Sequence, residues 1–194
     1  MNNFNIDVCI IRMPAKKISL PNDNEVYNFY GHKDIQKLIT KYDNPNYQSH
    51  GISVPFRMGV IAGSGSGKTS FLLNLIAKMS DTFGRIVVVY KCSEPLYEFL
   101  ETKIGADNIK FYTKLADLPQ PNQNEDKKFQ QLLVFDDQVN CSDKEQAIIK
   151  EYFLRGRKIG RSISMVYLSQ SFFKVPKFIR SQFNFFNFTQ IIKR

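Results

Sequence analysis

"IAGSGSGKTS", residues Ile61 to Ser70, sets glycines at positions 63, 65 and 67 between serines and closes on a lysine and two hydroxyl side chains. What such a loop can hold depends on its flanks. Upstream, "FRMGVIA" from Phe56 to Ala62 is a short apolar run with β-branched residues, bounded by Pro55 and the glycines, and it predicts a buried strand. Downstream, Leu72, Leu75, Ile76 and Met79 recur at the i, i+3, i+4, i+7 spacing of an amphipathic helix packed on a sheet. A glycine loop between strand and helix can turn successive backbone N–H groups inward at the positive end of the helix, an arrangement that cradles a polyphosphate.

The side chains fit that reading. Lys68 is placed to neutralise β- and γ-phosphates, and the Thr69 hydroxyl to ligate Mg²⁺. The candidate nucleotide-binding residues are Ala62, Gly63, Ser64, Gly65, Ser66, Gly67, Lys68, Thr69 and Ser70. Ala62 stands where the strict Gly-x4-Gly-Lys-Ser/Thr spelling has glycine, and alanine is small enough for the close turn from strand to loop. The alternative, a glycine-rich surface turn, is disfavoured by strand, spacing, Lys-Thr pair and helix taken together.

Composition sets the outer bounds. A chain of 194 residues suits one domain with appendages. It has no apolar run of about 20 residues and no charged start followed by a long apolar stretch, so neither a membrane span nor a signal peptide is expected. Cys9, Cys92 and Cys141 are far apart, lack metal-ligand spacing and suit a reducing compartment. His32 and His50 are isolated. The net charge of +9 is uneven: Glu151 to Arg194 carries +8 and the first 150 residues +1. A basic surface in one segment suits a polyanionic partner such as nucleic acid, or a solvated face used for solubility.

The chain is expected to hold an accessory segment, residues 1–50, and a domain over residues 51–194. The first has a possible strand from Asp7 to Arg12 and a helix near Lys33 to Tyr42, ended by "DNPN". The second alternates strands and helices. Strands are predicted at "RIVVVYK" (85–91), "IKFYTKL" (109–115), "QLLVFDD" (131–137), "SISMVYLSQ" (162–170) and a closing "FNFFNFTQII" (183–192). Helices are predicted from Glu94 to about Ile104, after Ser142 and around Pro176 to Gln182. Ser142 and Glu145 have capping-box spacing, with Ile148, Ile149, Tyr152 and Phe153 on the buried face. A polar loop, "PQPNQNEDKK", precedes the strand at 131, and no internal repeat is present. Such alternation specifies an α/β fold with a mostly parallel central sheet and helices on both faces.

"LLVFDD" supplies a second chemical element. Its apolar strand delivers Asp136 and Asp137 to the carboxyl end of the sheet, where ligands bind in open α/β folds. Asp136 would hold Mg²⁺, and Asp137 would orient or deprotonate an attacking water. Alone, two acids after an apolar strand are more often a polar strand end, and the preceding loop reverses that weighting. A third element, "VYLSQS", ends another buried strand in Ser169 and Gln170, and Gln170 suits contact with the γ-phosphate or the attacking water. Nucleotide kinases share the loop but generally lack the second acid, so hydrolysis is the better reading.

"PFRMGVIAGSGSGKTSFLLNLI", "LLVFDDQ", "YFLRGRKIGRSISMVYLSQSFFKVPKFIR" and "FNFFNFT" together resemble the genome-packaging ATPases of poxviruses, other large double-stranded DNA viruses and virophages, within the wider FtsK/HerA group. The likeness runs from about Pro55 to Thr189. It implies a P-loop NTPase of RecA or FtsK/HerA type, with an extra strand between the Walker A and Walker B strands. It further implies ATP hydrolysis with Mg²⁺ in a homo-oligomeric ring, pentamer or hexamer, that drives double-stranded DNA into a capsid, with a capsid vertex protein as partner. The expected location is the host cytoplasm at the viral assembly site, or the virion, rather than outside the cell.

Carried over by position, the phosphate loop falls on Ala62 to Thr69, the Mg²⁺ aspartate on Asp136, the water-activating acid on Asp137 and the strand-end sensor on Gln170. Relatives commonly place Glu where Asp137 stands, so the shorter side chain must sit closer or work through another water. An arginine reaching a neighbouring subunit's site would come from "RGRKIGR", with Arg157 preferred over Arg155 and Arg161; backbone-phosphate contact or solvation is the alternative. Candidate DNA grips are Lys158, Arg161, Lys174, Lys177 and Arg180. The aromatic run Phe183 to Phe188 suggests either base stacking or, as the favoured reading, a buried strand. Relatives extend past the last strand, so a compact or truncated member is expected. The rival readings are a helicase or recombinase, a small-molecule kinase, and a scaffold that binds nucleotide without turnover.

Overall fold

The computed structural model describes residues 28–38, 41–121 and 129–188. The chain divides into two compact units, one ending at Ile39 and the other beginning at Thr40. In the first, a 3₁₀ turn at Phe29–Gly31 is capped by the Asn28 side chain and followed by helix α1, Lys33–Leu38. The helix expected from Lys33 to Tyr42 is therefore described as far as Leu38, and residues 41–44 are not helical. The strand expected at 7–12 lies outside the described residues.

In the second unit, a short helix α2 (Tyr47–His50) precedes strand β1 (Arg57–Ile61) and helix α3 (Lys68–Lys78). Next come β2 (Arg85–Val89), α4 (Pro95–Ile104), β3 (Ile109–Tyr112) and β4 (Gln131–Asp136). The chain continues through α5 (Asp143–Arg155), β5 (Ile163–Ser169), α6 (Lys177–Gln182) and β6 (Phe185–Phe188). The sheet order is β3-β2-β4-β5-β1-β6, and every pairing is parallel. Strand β5 thus lies between the loop strand β1 and the aspartate strand β4, as the sequence reading expects.

Period-2 alternation divides the core into two layers. Leu132 and Val134 of β4, with Val166 and Leu168 of β5, meet Leu72 and Leu75 of α3 and Tyr97 and Leu100 of α4. The intervening Leu133 and Phe135, Met165 and Tyr167 meet Ile149, Tyr152 and Phe153 of α5 and Ile179 of α6. Helix α5 opens on a complete capping box between Ser142 and Glu145. Ile148 is partly rather than fully buried.

The end strand corrects one expectation. Among the described residues β6 pairs only with β1, and Phe186 and Phe188 are 45% and 68% exposed. At the end of the sheet, only Phe185 and Phe183 turn into the core layers, so the run alternates instead of being buried throughout. Residues 41–50 also pack on this unit. The Asp43 backbone N–H donates to Gln130 Oε1 at 2.6 Å and Gln130 Nε2 donates back to the Asp43 carbonyl at 2.8 Å. Among the described residues no helix is long and apolar enough to cross a membrane.

Candidate active site

The glycine loop leaves β1 at the carboxyl end of the sheet and runs straight into α3. Gly65 and Gly67 have φ of +69° and +85°, a left-handed backbone that would strain any residue with a Cβ. The Ser66 N–H closes the turn on the Gly63 carbonyl at 3.2 Å. No side chain caps the first N–H groups of α3, as an anion-binding helix end requires. Lys68 Nζ donates to the carbonyls of Ala62 and Gly63, each at 3.2 Å. Gly65, Gly67, Lys68, Thr69 and Ser70 border a cleft of about 210 Å³, completed by Glu94 and Leu96 from the start of α4.

Asp136 continues the alternation of Leu132 and Val134, so it emerges on the α3–α4 side of the sheet, 9% exposed. There the Tyr97 hydroxyl donates to its Oδ2 at 2.6 Å. Burial pushes the Asp136 carboxyl up from the ordinary carboxylate range; the Tyr97 hydrogen bond pulls it down, Glu94 raises it, Lys68 lowers it and Asp137 raises it. Burial, then the charge of Asp136, pushes the Tyr97 hydroxyl far up, so it stays protonated and acts as a donor.

Three carboxylates, Glu94, Asp136 and Asp137, thus surround one lysine, a local deficit of positive charge suited to a divalent cation. No group of three His, Cys, Asp or Glu able to hold a metal ion exists among the described residues. Mg²⁺ takes one or two protein oxygens and completes its shell with phosphate and water. The residues that fit it are Thr69, 6% exposed, and Asp136.

Asp137 turns away from its neighbour. Its φ and ψ of 50° and 40° are left-handed, which aspartate tolerates better than most residues. Its backbone N–H donates to the Leu168 carbonyl at 3.1 Å, and its Oδ2 accepts from Gln170 Nε2 at 3.2 Å. The other oxygen, Oδ1, is buried without a hydrogen-bond partner. Gln138, 2% exposed, locks the turn: its Nε2 donates to the Asp136 carbonyl at 2.9 Å, and its own carbonyl accepts from Gln146 Nε2 at 3.1 Å. Cys141 Sγ donates to Gln138 Oε1 at 3.2 Å, which gives that thiol a structural place.

Lys68, Thr69, Asp136, Asp137 and Gln170 therefore meet at one end of the sheet. The basic candidates do not join them as a group. Arg157, in the turn between α5 and β5, lies at the amino end and faces Arg57 at the start of β1. Arg161 is ion-paired with Asp43, so its charge is already used within the chain. The Arg180 guanidinium stacks over the Phe172 ring at 4.8 Å and is half-buried. Lys158, Lys174 and Lys177 are exposed. Tyr97, Glu94 and Gln138 were not foreseen from the sequence; the one signal for Tyr97 is its place with Leu100 and Ile104 on the apolar face of α4.

A parallel sheet with β5 between β1 and β4, a glycine loop opening a helix, and paired acids at a strand end define a P-loop ATPase. Within that class the chain belongs to the Poxvirus A32 protein family, whose profile matches residues 46–193. The resemblance seen in the motifs holds at this level. Among solved structures, it is similar to the cytoplasmic domain of EssC, at 9% identity and a TM-score of 0.52 over 70% of this chain and 31% of that one. EssC ATPases 2 and 3 from Geobacillus thermodenitrificans give 9% identity and 0.50 over 69% and 32%. A single-residue variant of Thermotoga maritima RuvB gives 12% identity and 0.49 over 81% and 45%. At these identities the EssC likenesses concern the fold alone, and the chain spans less than half the length of each of these structures. No curated protein sequence matches significantly.

Proposed function

We propose that the chain is an ATP-hydrolysing motor that moves double-stranded DNA into a viral capsid as a homo-oligomeric ring of five or six subunits. The observation that carries the catalytic part is the meeting of Lys68 and Thr69 with Asp136 and the Asp137–Gln170 pair at one sheet end. Residues Ala62 to Ser70 cradle the ATP phosphates, with Lys68 swinging from two loop carbonyls onto the β- and γ-phosphates. Thr69 and Asp136 hold Mg²⁺, which when bound neutralises charge developing on the phosphates. Asp137 Oδ1, buried and unpartnered, accepts the proton of the attacking water, while Gln170 holds Oδ2 and senses the γ-phosphate.

Residues 51–194 form the ATPase domain in this reading and residues 1–50 the accessory segment. Arg157 lies far from its own subunit's loop, so it serves a neighbour whose loop end faces this subunit's amino end. Lys158, Lys174 and Lys177 grip the DNA backbone without reading sequence. A capsid vertex protein anchors the ring, at the viral assembly site in the host cytoplasm or in the virion.

The test is ATP turnover with and without double-stranded DNA, for wild type and Asp137→Ala, across protein concentrations that bracket assembly. DNA-stimulated, concentration-dependent turnover that falls about 100-fold or more in the variant supports the motor. Slow turnover indifferent to DNA and concentration overturns it.

A further inference from the structure

Asp136 and Tyr97 come from two elements, and the order of strands brings them together. β2 lies beside β4, so the first turn of α4, which follows β2, reaches over the end of β4. The Tyr97 ring is 2% exposed, stacked on Tyr90 with centroids 5.4 Å apart and tilted against Phe111 at 5.8 Å. Its hydroxyl therefore has a fixed place. A phenol has one proton and two lone pairs. Tyr97 gives that proton to Asp136 Oδ2 at 2.6 Å. That bond fixes the plane of the Asp136 carboxylate.

We propose that Tyr97 is a positioning residue for the cation-holding Asp136: its hydroxyl sets the plane of the Asp136 carboxylate before nucleotide and metal arrive. This rests on the reading of Thr69 and Asp136 as the Mg²⁺ residues. A core aromatic without that role would support nucleotide and metal binding alike, through the fold. A positioning hydroxyl affects the metal selectively.

The experiment titrates a fluorescent ADP analogue into wild type, Tyr97→Phe and Asp136→Asn, first in chelator and then at rising Mg²⁺. Tyr97→Phe keeps the ring and its stacking. It is expected to raise the half-saturating Mg²⁺ about tenfold, the size of one lost charge-assisted hydrogen bond, with metal-free nucleotide affinity unchanged. Phe111→Leu, which takes one support from the ring and leaves every polar group in place, is a second variant and shifts Mg²⁺ in the same direction by less. An unchanged Mg²⁺ requirement in Tyr97→Phe, beside a raised one in Asp136→Asn, overturns the inference and leaves the site reading standing. Parallel loss of metal-free and Mg²⁺-dependent affinity also overturns it. Wild-type binding indifferent to Mg²⁺ removes the site reading and the inference together.

Discussion

The nucleotide site at the carboxyl end of the central sheet and the turn region at its amino end differ in charge. At the carboxyl end, Glu94, Asp136 and Asp137 share one lysine. At the amino end, Arg57 and Arg157 face each other, with Lys158 and Arg161 in the same turn region and Asp43 pairing Arg161. Burial first, and then the charge of Arg157, makes the Arg57 guanidinium a weaker base than usual. In the proposed function, nucleotide with its cation answers the carboxyl end, where its phosphates and metal would meet preformed oxygens and one ammonium. In the same reading, a polyanion or a neighbour's phosphate-loaded end answers the other. The contrast teaches that nucleotide chemistry and the proposed Arg157 contact are separable in this chain, because Lys68, Asp136 and Asp137 lie at one end of the sheet and Arg157 at the other.

The largest test of that separation is Lys68→Ala. Its ammonium contacts only loop carbonyls, so its removal should leave folding intact. Nucleotide binding is expected to weaken strongly, and turnover to fall about 100-fold or more, to background, because the γ-phosphate loses its fixed counter-charge. Equilibrium binding of a fluorescent nucleotide and steady-state turnover check it. Near-normal turnover would break the comparison at its carboxyl end.

What the sequence reveals of that end and what it conceals have different causes. The loop, its strand and its helix are legible because glycine spacing and hydrophobic period are local signals. Asp136 and Asp137 are legible because they close an apolar run. Their divergence is not: it depends on the left-handed backbone at Asp137, secured by Gln138 and by Leu168 of the neighbouring strand. Tyr97 announces burial through its helical stripe but not the partner of its hydroxyl, which follows from β2 lying beside β4. The same holds for Arg161, whose partner Asp43 is 118 positions away. The exposed flank of β6 is hidden for a related reason, since an aromatic run reads alike at the centre and at the end of a sheet until strand order is known.

Arg157→Ala tests the amino end. If it acts in trans, assembled turnover should drop about 1,000-fold, while nucleotide affinity of the dilute subunit is unchanged. Mixing Arg157→Ala with Lys68→Ala subunits should restore part of the turnover, because one supplies the arginine and the other the loop. Arg161→Ala sharpens the contrast. It breaks only the partly exposed pair with Asp43 and should cost less than about 1 kcal/mol in urea unfolding, with no effect on complementation. Equal turnover losses in the two arginine variants would count against the selection of Arg157.

The smallest effect belongs to the element that joins the two ends. Helix α5 starts beside the aspartate turn and finishes beside Arg157, and its start is fixed by the Ser142–Glu145 box. Ser142 Oγ accepts from the Glu145 backbone N–H at 3.4 Å, and Glu145 Oε2 accepts from the Ser142 backbone N–H at 2.9 Å and from its hydroxyl at 2.8 Å. Ser142→Ala removes the hydroxyl's share of these bonds and should cost about 1 kcal/mol, read by urea unfolding. The Ser142 backbone N–H and then its hydroxyl hold the Glu145 carboxyl below its ordinary 4.5 in the folded chain. A folded-state value below the unfolded one means stabilisation that is present above the ordinary carboxylate range and lost as pH falls through the lowered value. The gap between wild type and variant should therefore be widest near neutrality and narrow in acid. Because the box touches neither Asp137 nor Arg157, nucleotide affinity and subunit complementation should be unchanged; a loss of complementation here would mean that α5 carries the coupling between the two ends.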